Sequence, residues 1–79
     1  MEQEVVQEIS CKLIDIVGRN TRSIRIKKKM TQDELASKMK SHRESISRIE
    51  KGRINISLKV LDKLAKALNV NVCELVKER

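Results

Sequence analysis

The chain has 79 residues, no Pro, no aromatic residue and only two Gly. A chain of this length forms one small domain, and the scarcity of strand formers and turn residues excludes most β architectures and favours an all-α fold. The formal net charge is +7. Residues 1–18 hold one basic and four acidic side chains, for −3, whereas residues 19–53 hold twelve basic and four acidic ones, for +8. The charge of this middle segment predicts a polyanionic partner.

The composition also argues against several other classes of protein. No apolar run approaches the roughly 18 residues of a membrane helix, and the first residues lack a signal-peptide pattern, so we expect a cytoplasmic protein without membrane contact. Cys11 and Cys73 lie far apart beside apolar neighbours, which favours reduced thiols. With His42 as the only histidine, we expect no metal site, no cofactor and no enzyme activity. RNA binding is disfavoured because aromatic stacking side chains are absent.

The first predicted element is a helix from about Glu4 to Lys28, either continuous or broken near Gly18. Its apolar residues cover more than one helix face and are Val5, Val6, Ile9, Leu13, Ile14, Ile16 and Val17. This surface is wider than a small domain needs, so it either covers the core or pairs with a second subunit. We therefore divide the chain into an N-terminal helical extension and possible dimer arm, residues 1–16, and a domain of residues 17–79.

Three later helix starts carry capping chemistry. Thr31 is followed three positions later by Glu34, and Asn71 by Glu74, which is the spacing of a capping box. Ser57 provides a cap without the reciprocal carboxylate. These residues predict helices that begin directly after positions 31, 57 and 71.

The apolar residues beyond Met30 follow helical spacing and are expected to form the core. They are Leu35, Ala36, Met39, Ile46, Ile49, Leu58, Leu61, Leu64, Ala65, Leu68, Val72, Leu75 and Val76. Asn69, which tolerates a left-handed backbone, is expected to end the fourth helix.

Three stretches are similar to one known family: TQDELA at the start of the second helix, ISRIEKG at the end of the third, and NISLKVLDKLAKALNVNVCEL after it. From about Val17 to Val76 the chain resembles the phage-repressor and Cro-like helix-turn-helix (XRE-type) regulators without a gap. Around INISLKVLDKLAKAL it is also similar to the short controllers of restriction-modification systems. The resemblance implies a compact five-helix, lambda-repressor-like fold whose third helix, Arg43 to Lys51, enters the major groove of DNA.

On this frame, one group of residues is expected to read bases and another to contact the DNA backbone. The candidate base readers are Arg43, Glu44, Ser47 and Arg48, and the candidate backbone contacts are Gln32, Ser45, Lys51, Arg53 and Asn55. Arg can pair with guanine, Glu can accept from cytosine, and Ser can bond to several bases. Basic residues on the backbone add affinity with little sequence preference, because phosphates are alike at every base pair.

Glu44 also has a purely structural interpretation. Ser41 and Glu44 have the spacing of a capping box, which would fix the start of the third helix and leave the carboxylate no contact with a base. The sequence leaves both roles open.

The resemblance further implies an ion pair between Arg25 and Glu50, which would join the first helix to the end of the third. The chain departs from the family pattern at three positions. Lys40 stands where Gly is usual at the turn, and Ser41 and Thr21 stand where apolar residues are usual. These departures bear on the geometry of the turn and the register of the third helix.

Two functions are expected from these observations. The first is a sequence-specific DNA-binding transcriptional regulator, a repressor-like protein that binds an inverted repeat in double-stranded DNA as a homodimer. The alternative is an antitoxin-like or adaptor module that binds a protein partner through residues 1–17.

Overall fold

The computed structural model describes the backbone of residues 2–78 and the side chains of residues 12–78. Its helices are α1 (Glu2–Lys27), α2 (Gln32–Lys38), α3 (Arg43–Glu50), α4 (Leu58–Leu68) and α5 (Val72–Val76). The long α1 packs against α3, α4 and α5, and α2 packs against α3 and α4. The expected all-α, five-helix fold is therefore confirmed. Within the described part of the chain, no helix is both long and apolar enough to cross a membrane.

The core lies where the five helices meet. Its most enclosed apolar side chains are Leu35, Ile46, Leu64, Leu68 and Leu75. All five were expected there from helical spacing. Removal of such side chains from water is the main favourable term in folding, and it fixes α2 and α3 relative to α4 and α5.

Three residues of the predicted apolar faces are exposed in the described part of the chain. Leu58 is 84% exposed, Leu13 is 44% exposed and Val72 is 37% exposed. The prediction that Leu58 and Val72 belong to the core is wrong, because each is the first residue of its helix and precedes the turns that contact other helices. The side chains of Val5, Val6 and Ile9 lie outside the described residues.

α1 is continuous through Gly18, where its backbone lies close to the end of α3. A Cβ atom at Gly18 would collide with the carbonyl oxygen of Ile49 and lie 2.9 Å from that of Glu50. The helix therefore needs glycine here because its backbone approaches the last carbonyl groups of α3. This packing outweighs the low helix propensity of glycine, which is about 1 kcal/mol worse than Ala.

The helix starts show how local chemistry sets the element boundaries. The hydroxyl of Thr31 accepts a hydrogen bond from the Glu34 N–H at 3.0 Å, and the Glu34 carboxylate accepts one from the Thr31 N–H at 2.9 Å, as predicted for a capping box. Ser57 caps α4 by accepting from the Val60 N–H at 3.1 Å. Asn71 occupies the expected N-cap position of α5, but its side chain makes no capping hydrogen bond, so that part of the prediction is wrong.

The first four helices end in the same way, through one residue with a left-handed backbone. These residues are Lys29 (φ 56°), Lys40 (φ 55°), Gly52 (φ 67°) and Asn69 (φ 57°). The N–H after each left-handed residue bonds to the carbonyl five positions back, as in the Ser41 to Ala36 bond of 2.8 Å. This is a Schellman motif, which satisfies carbonyl groups that have no partner inside the helix. The end of α4 at Asn69 was predicted.

Two adjacent polar residues of α1 are buried, which the sequence did not indicate. Asn20 is 5% exposed and its amide donates to the carbonyl oxygens of Leu75 at 2.9 Å and Lys77 at 2.7 Å. This contact joins α1 to the C-terminal end of the domain. Thr21 is fully buried, and its hydroxyl has no hydrogen-bond partner among the described residues.

Candidate nucleic-acid interface

The turn between α2 and α3 decides which residue begins α3. The Ser41 N–H bonds to the Ala36 carbonyl at 2.8 Å and thereby completes the end of α2. It is not available to a Glu44 carboxylate, and the N-cap of α3 is His42, with an extended backbone and no side-chain capping bond. The structure therefore excludes the capping box of Ser41 and Glu44, which was one of the two roles that the sequence left open for Glu44. Glu44 lies in the first turn of α3 and is exposed.

The face of α3 that points away from the core carries the candidate contact residues. Ile46 and Ile49 are buried and attach the helix to the domain. On the opposite side, residues 44, 47, 48 and 51 follow the i, i+3, i+4, i+7 spacing of one helix face. We call this the outward face, and its members are Glu44, Ser47, Arg48 and Lys51.

The outward face continues into the connection that follows α3. Arg53 and Ile54 join its four residues in lining a surface groove of about 390 Å³. The groove is thus lined by three basic side chains, Arg48, Lys51 and Arg53, and one acidic side chain, Glu44. A groove with this charge attracts polyanions and offers both donors and an acceptor for hydrogen bonds.

A second basic groove, of about 550 Å³, lies between the end of α2 and the middle of α4. It is lined by Lys38, Met39, Lys40, Lys63, Lys66 and Ala67, and it shares no residue with the first groove. The Lys66 ammonium is 3.0 Å from the Asp62 carboxylate in an exposed ion pair. Residues of this groove provide charge-matched controls for the outward face.

A hydrogen-bond network fixes the end of α3 to α1 and α2. Arg25 donates from Nε to Glu50 at 2.6 Å and from Nη2 at 3.1 Å, which confirms the expected ion pair. Gln32 donates from Nε2 to the same Glu50 carboxylate at 3.1 Å. One of the two amide N–H bonds of Gln32 is therefore used inside the domain, a contact that no sequence pattern indicates.

The nine predicted contact residues fall into three groups in the structure. Five of them line one groove: Glu44, Ser47, Arg48, Lys51 and Arg53. Arg43 is exposed and Ser45 is half-buried at the sides of the outward face, and Asn55 is exposed in the connection after α3. Gln32 is held against Glu50. Ile54 lines the groove but was not predicted, since an apolar residue in a basic connection carries no signal of contact.

A helix-turn-helix family profile matches residues 22–75, which include α2, the turn and α3. The control protein C.BamHI of Bacillus amyloliquefaciens is 40% identical over 62 residues, covering 77% of this chain and 76% of that protein. The match therefore extends over most of both proteins.

Solved structures share the same fold. The restriction-modification controller protein C.AhdI from Aeromonas hydrophila superposes with a TM-score of 0.75 at 32% identity, covering 78% of this chain and 94% of that one. The restriction-modification controller protein C.Esp1396I was solved as a tetramer in complex with its natural 35 base-pair operator. It superposes with a TM-score of 0.71 at 33% identity, covering 82% of this chain and 96% of that one.

Proposed function

Because this chain belongs to the helix-turn-helix family of phage-repressor and Cro-like transcriptional regulators, we propose that it binds an inverted repeat in double-stranded DNA as a homodimer. In this proposal α3 lies in the major groove, and each protomer reads one half-site. The observation that carries it is the outward face of α3, where Ser47, Arg48 and Lys51 present bonding groups that have no partner among the described residues. A regulator of this kind acts in the cytoplasm, where the DNA is.

The proposed contacts divide by chemistry. Arg43, Ser47 and Arg48 are assigned to base edges, because an exposed guanidinium pairs bidentately with guanine and a hydroxyl bonds to several bases. The backbone contacts are assigned to Gln32, Ser45, Lys51, Arg53 and Asn55, whose donors suit phosphate oxygens. Gln32 would bind a phosphate through its second amide N–H, because the first bonds to Glu50.

Dimerisation supplies the specificity that one small module lacks. A two-fold dimer reads half-sites about 34 Å apart, one turn of DNA. The tetramer of C.Esp1396I on its operator supports assembly of several copies of this fold on DNA. We assign self-association to residues 1–16, with residues 17–79 as the DNA-binding domain. Leu13, which is 44% exposed, is the apolar side chain of this arm that faces solvent in the described part of the chain.

The proposal is tested by selection from random duplex DNA followed by sequencing, together with gel retardation at rising salt. We expect an inverted repeat, and an affinity that falls with salt because phosphate contacts release counterions. Arg48→Ala should weaken binding to the selected site by about 5- to 100-fold. Lys63→Ala removes the same charge from the second groove and should leave affinity close to that of the parent. No retardation at low salt, or no salt dependence, would contradict the proposal.

A protein-interaction module, antitoxin-like or an adaptor, is the second candidate, and the exposed Leu13 favours it. Truncation to residues 12–79 combined with Leu13→Ser discriminates between the two, because it removes the exposed apolar side chain and retains Ile16 and Val17, which are buried. Loss of self-association in light scattering would identify a dimer arm. A retained dimer that no longer binds a co-purified protein would identify a partner site.

A further inference from the structure

Glu44 is the acidic member of the outward face, and its carboxylate is not used by the fold. It is exposed and forms no hydrogen bond or ion pair with any residue from 12 to 78. The capping role is excluded, because Ser41 donates its N–H to Ala36 and α3 begins after His42. The carboxylate is therefore available to a ligand.

The position of Glu44 on α3 places it where bases are read. It lies in the first turn of α3, at the start of the outward face and on the side of the helix away from Ile46 and Ile49. In helix-turn-helix complexes the N-terminal residues of this helix contact base edges. A side chain at this position is therefore expected to reach a base edge when α3 lies in the major groove.

The chemistry of a carboxylate limits which base it can face. Close to DNA the carboxylate is repelled by phosphates and loses bound water. A hydrogen-bond donor on the DNA must replace that water for the carboxylate to be tolerated there. The donors in the major groove are the amino groups of cytosine and adenine, but adenine places its N7 acceptor beside the amino group, where it repels the second carboxylate oxygen. Arg48, Lys51 and Arg53, which line the same groove, offset the phosphate repulsion.

We propose that Glu44 is a specificity-determining residue that accepts a hydrogen bond from the N4 amino group of a cytosine at one fixed position in each half-site. The inference rests on the proposed function and adds the base that this residue reads. Thymine and guanine present acceptor oxygens at the corresponding edge, so the carboxylate rejects them by repulsion between lone pairs.

The test compares DNA selection by the parent, Glu44→Gln and Asp62→Asn. The parent should recover an inverted repeat with a cytosine in each half-site. Glu44→Gln should lose that cytosine and favour adenine there, because an amide pairs with adenine N6 and N7, while the other positions stay the same. Asp62→Asn removes one negative charge from the exposed surface of α4 and should keep the preference of the parent.

The size of the base preference is measured from dissociation constants for duplexes that differ at this one base pair. The parent should prefer cytosine over the other bases by about 5- to 100-fold, and Glu44→Gln should lose most of that preference. The melting temperature of Glu44→Gln should lie within a few degrees of that of the parent, because the carboxylate has no bond to the described part of the chain and loses only its interaction with the N-terminal end of the α3 dipole.

Two results would overturn the inference alone. The first is an inverted repeat selected equally by parent and Glu44→Gln, whether or not the variant binds every duplex more tightly, since the carboxylate would then act by charge only. The second is a lowered melting temperature with an unchanged base preference, which would give Glu44 a structural role. A parent that selects no sequence at all would overturn the proposed function and this inference together.

Discussion

Arg25 of α1 donates two hydrogen bonds to the carboxylate of Glu50, the last residue of α3, and both side chains are largely buried. The two side chains are 13% and 4% exposed. Arg25 also donates from Nη1 to the Met30 carbonyl at 2.8 Å, and Gln32 donates to the Glu50 carboxylate. Four segments, α1, the loop after it, α2 and α3, are therefore joined at one ion pair.

Replacement of Arg25 should destabilise the domain. Arg25→Ala leaves the Glu50 carboxylate buried without its cation, which typically costs about 3 to 5 kcal/mol of unfolding free energy. Urea denaturation followed by circular dichroism measures the change. Lys66→Ala, which breaks the exposed pair with Asp62, should cost about 1 kcal/mol or less. Equal melting temperatures for Arg25→Ala and the parent would contradict the prediction.

Gly18→Ala should also destabilise the protein, although Ala is the better helix former. The new Cβ would collide with the Ile49 carbonyl, and backbone atoms cannot move aside without shifting α1 against α3. We expect a loss of about 1 to 3 kcal/mol in denaturant unfolding. Arg22→Ala, at an exposed position of the same helix, is the control and should change stability by about 0.5 kcal/mol or less. A stabilised Gly18→Ala variant would show that α1 and α3 are not in this contact.

Lys40→Gly should stabilise the protein. Lys40 has φ of 55° in the turn, a conformation that is unfavourable for any residue with a Cβ and open to glycine. We expect a gain of about 1 kcal/mol, measured by chemical denaturation. Gly52→Ala is the reverse change at a residue with φ of 67° and should be destabilising. A loss of stability in Lys40→Gly would refute the left-handed turn.

Thr21 and Asn20 are adjacent buried polar residues for which opposite results are expected. Thr21→Val removes a buried hydroxyl that lacks a partner among the described residues, and should stabilise by about 1 kcal/mol. Asn20→Ala removes the donor to the Leu75 and Lys77 carbonyls and should destabilise by about 1 to 3 kcal/mol. Thermal unfolding monitored by circular dichroism separates the two. Destabilisation by Thr21→Val would reveal a bonding partner for the hydroxyl.

The capping box of α2 should contribute a dependence of stability on pH. The hydrogen bond from the Thr31 backbone N–H, followed by that of its side chain, lowers the pKa of Glu34 below its ordinary value of 4.5. A pKa lowered in the folded state gives stability that is present above the unfolded value and is lost as pH falls through the folded value. Glu34→Gln keeps the acceptor but does not titrate. The stability difference between parent and variant should therefore shrink below about pH 4.5, and a constant difference would count against this box.

The sequence predicted well those features that depend on a few neighbouring residues. The caps at Thr31 and Ser57 and the end of α4 at Asn69 were predicted because the bonds involved span only a few positions along the chain. The Ser41 and Glu44 pattern has the same local form and failed. The Ser41 N–H bonds to a carbonyl at the end of α2, and the spacing of two residues does not show whether another group competes for that N–H.

Features that depend on distant parts of the chain were less predictable. The need for glycine at position 18 comes from the carbonyl groups of α3, and the burial of Asn20 comes from the end of α5. Leu58 extends the apolar stripe of α4 by one residue beyond the point where the core ends. Within the candidate site, the face of α3 was predictable from its period, whereas the Gln32 bond to Glu50 depends on how two helices meet.

Because α1 is continuous, it fixes both the distance between its two ends and their relative rotation about the helix axis. Each residue of an α-helix advances about 1.5 Å and turns about 100°. An insertion of one residue between Leu13 and Gly18 would swing the proposed dimer arm about 100° around the domain, while α3 stayed anchored at the Gly18 contact. Two protomers paired through that arm would then aim their α3 helices at different faces of the duplex. In the proposed dimer, the first helix would thus set the spacing of the half-sites without touching the DNA.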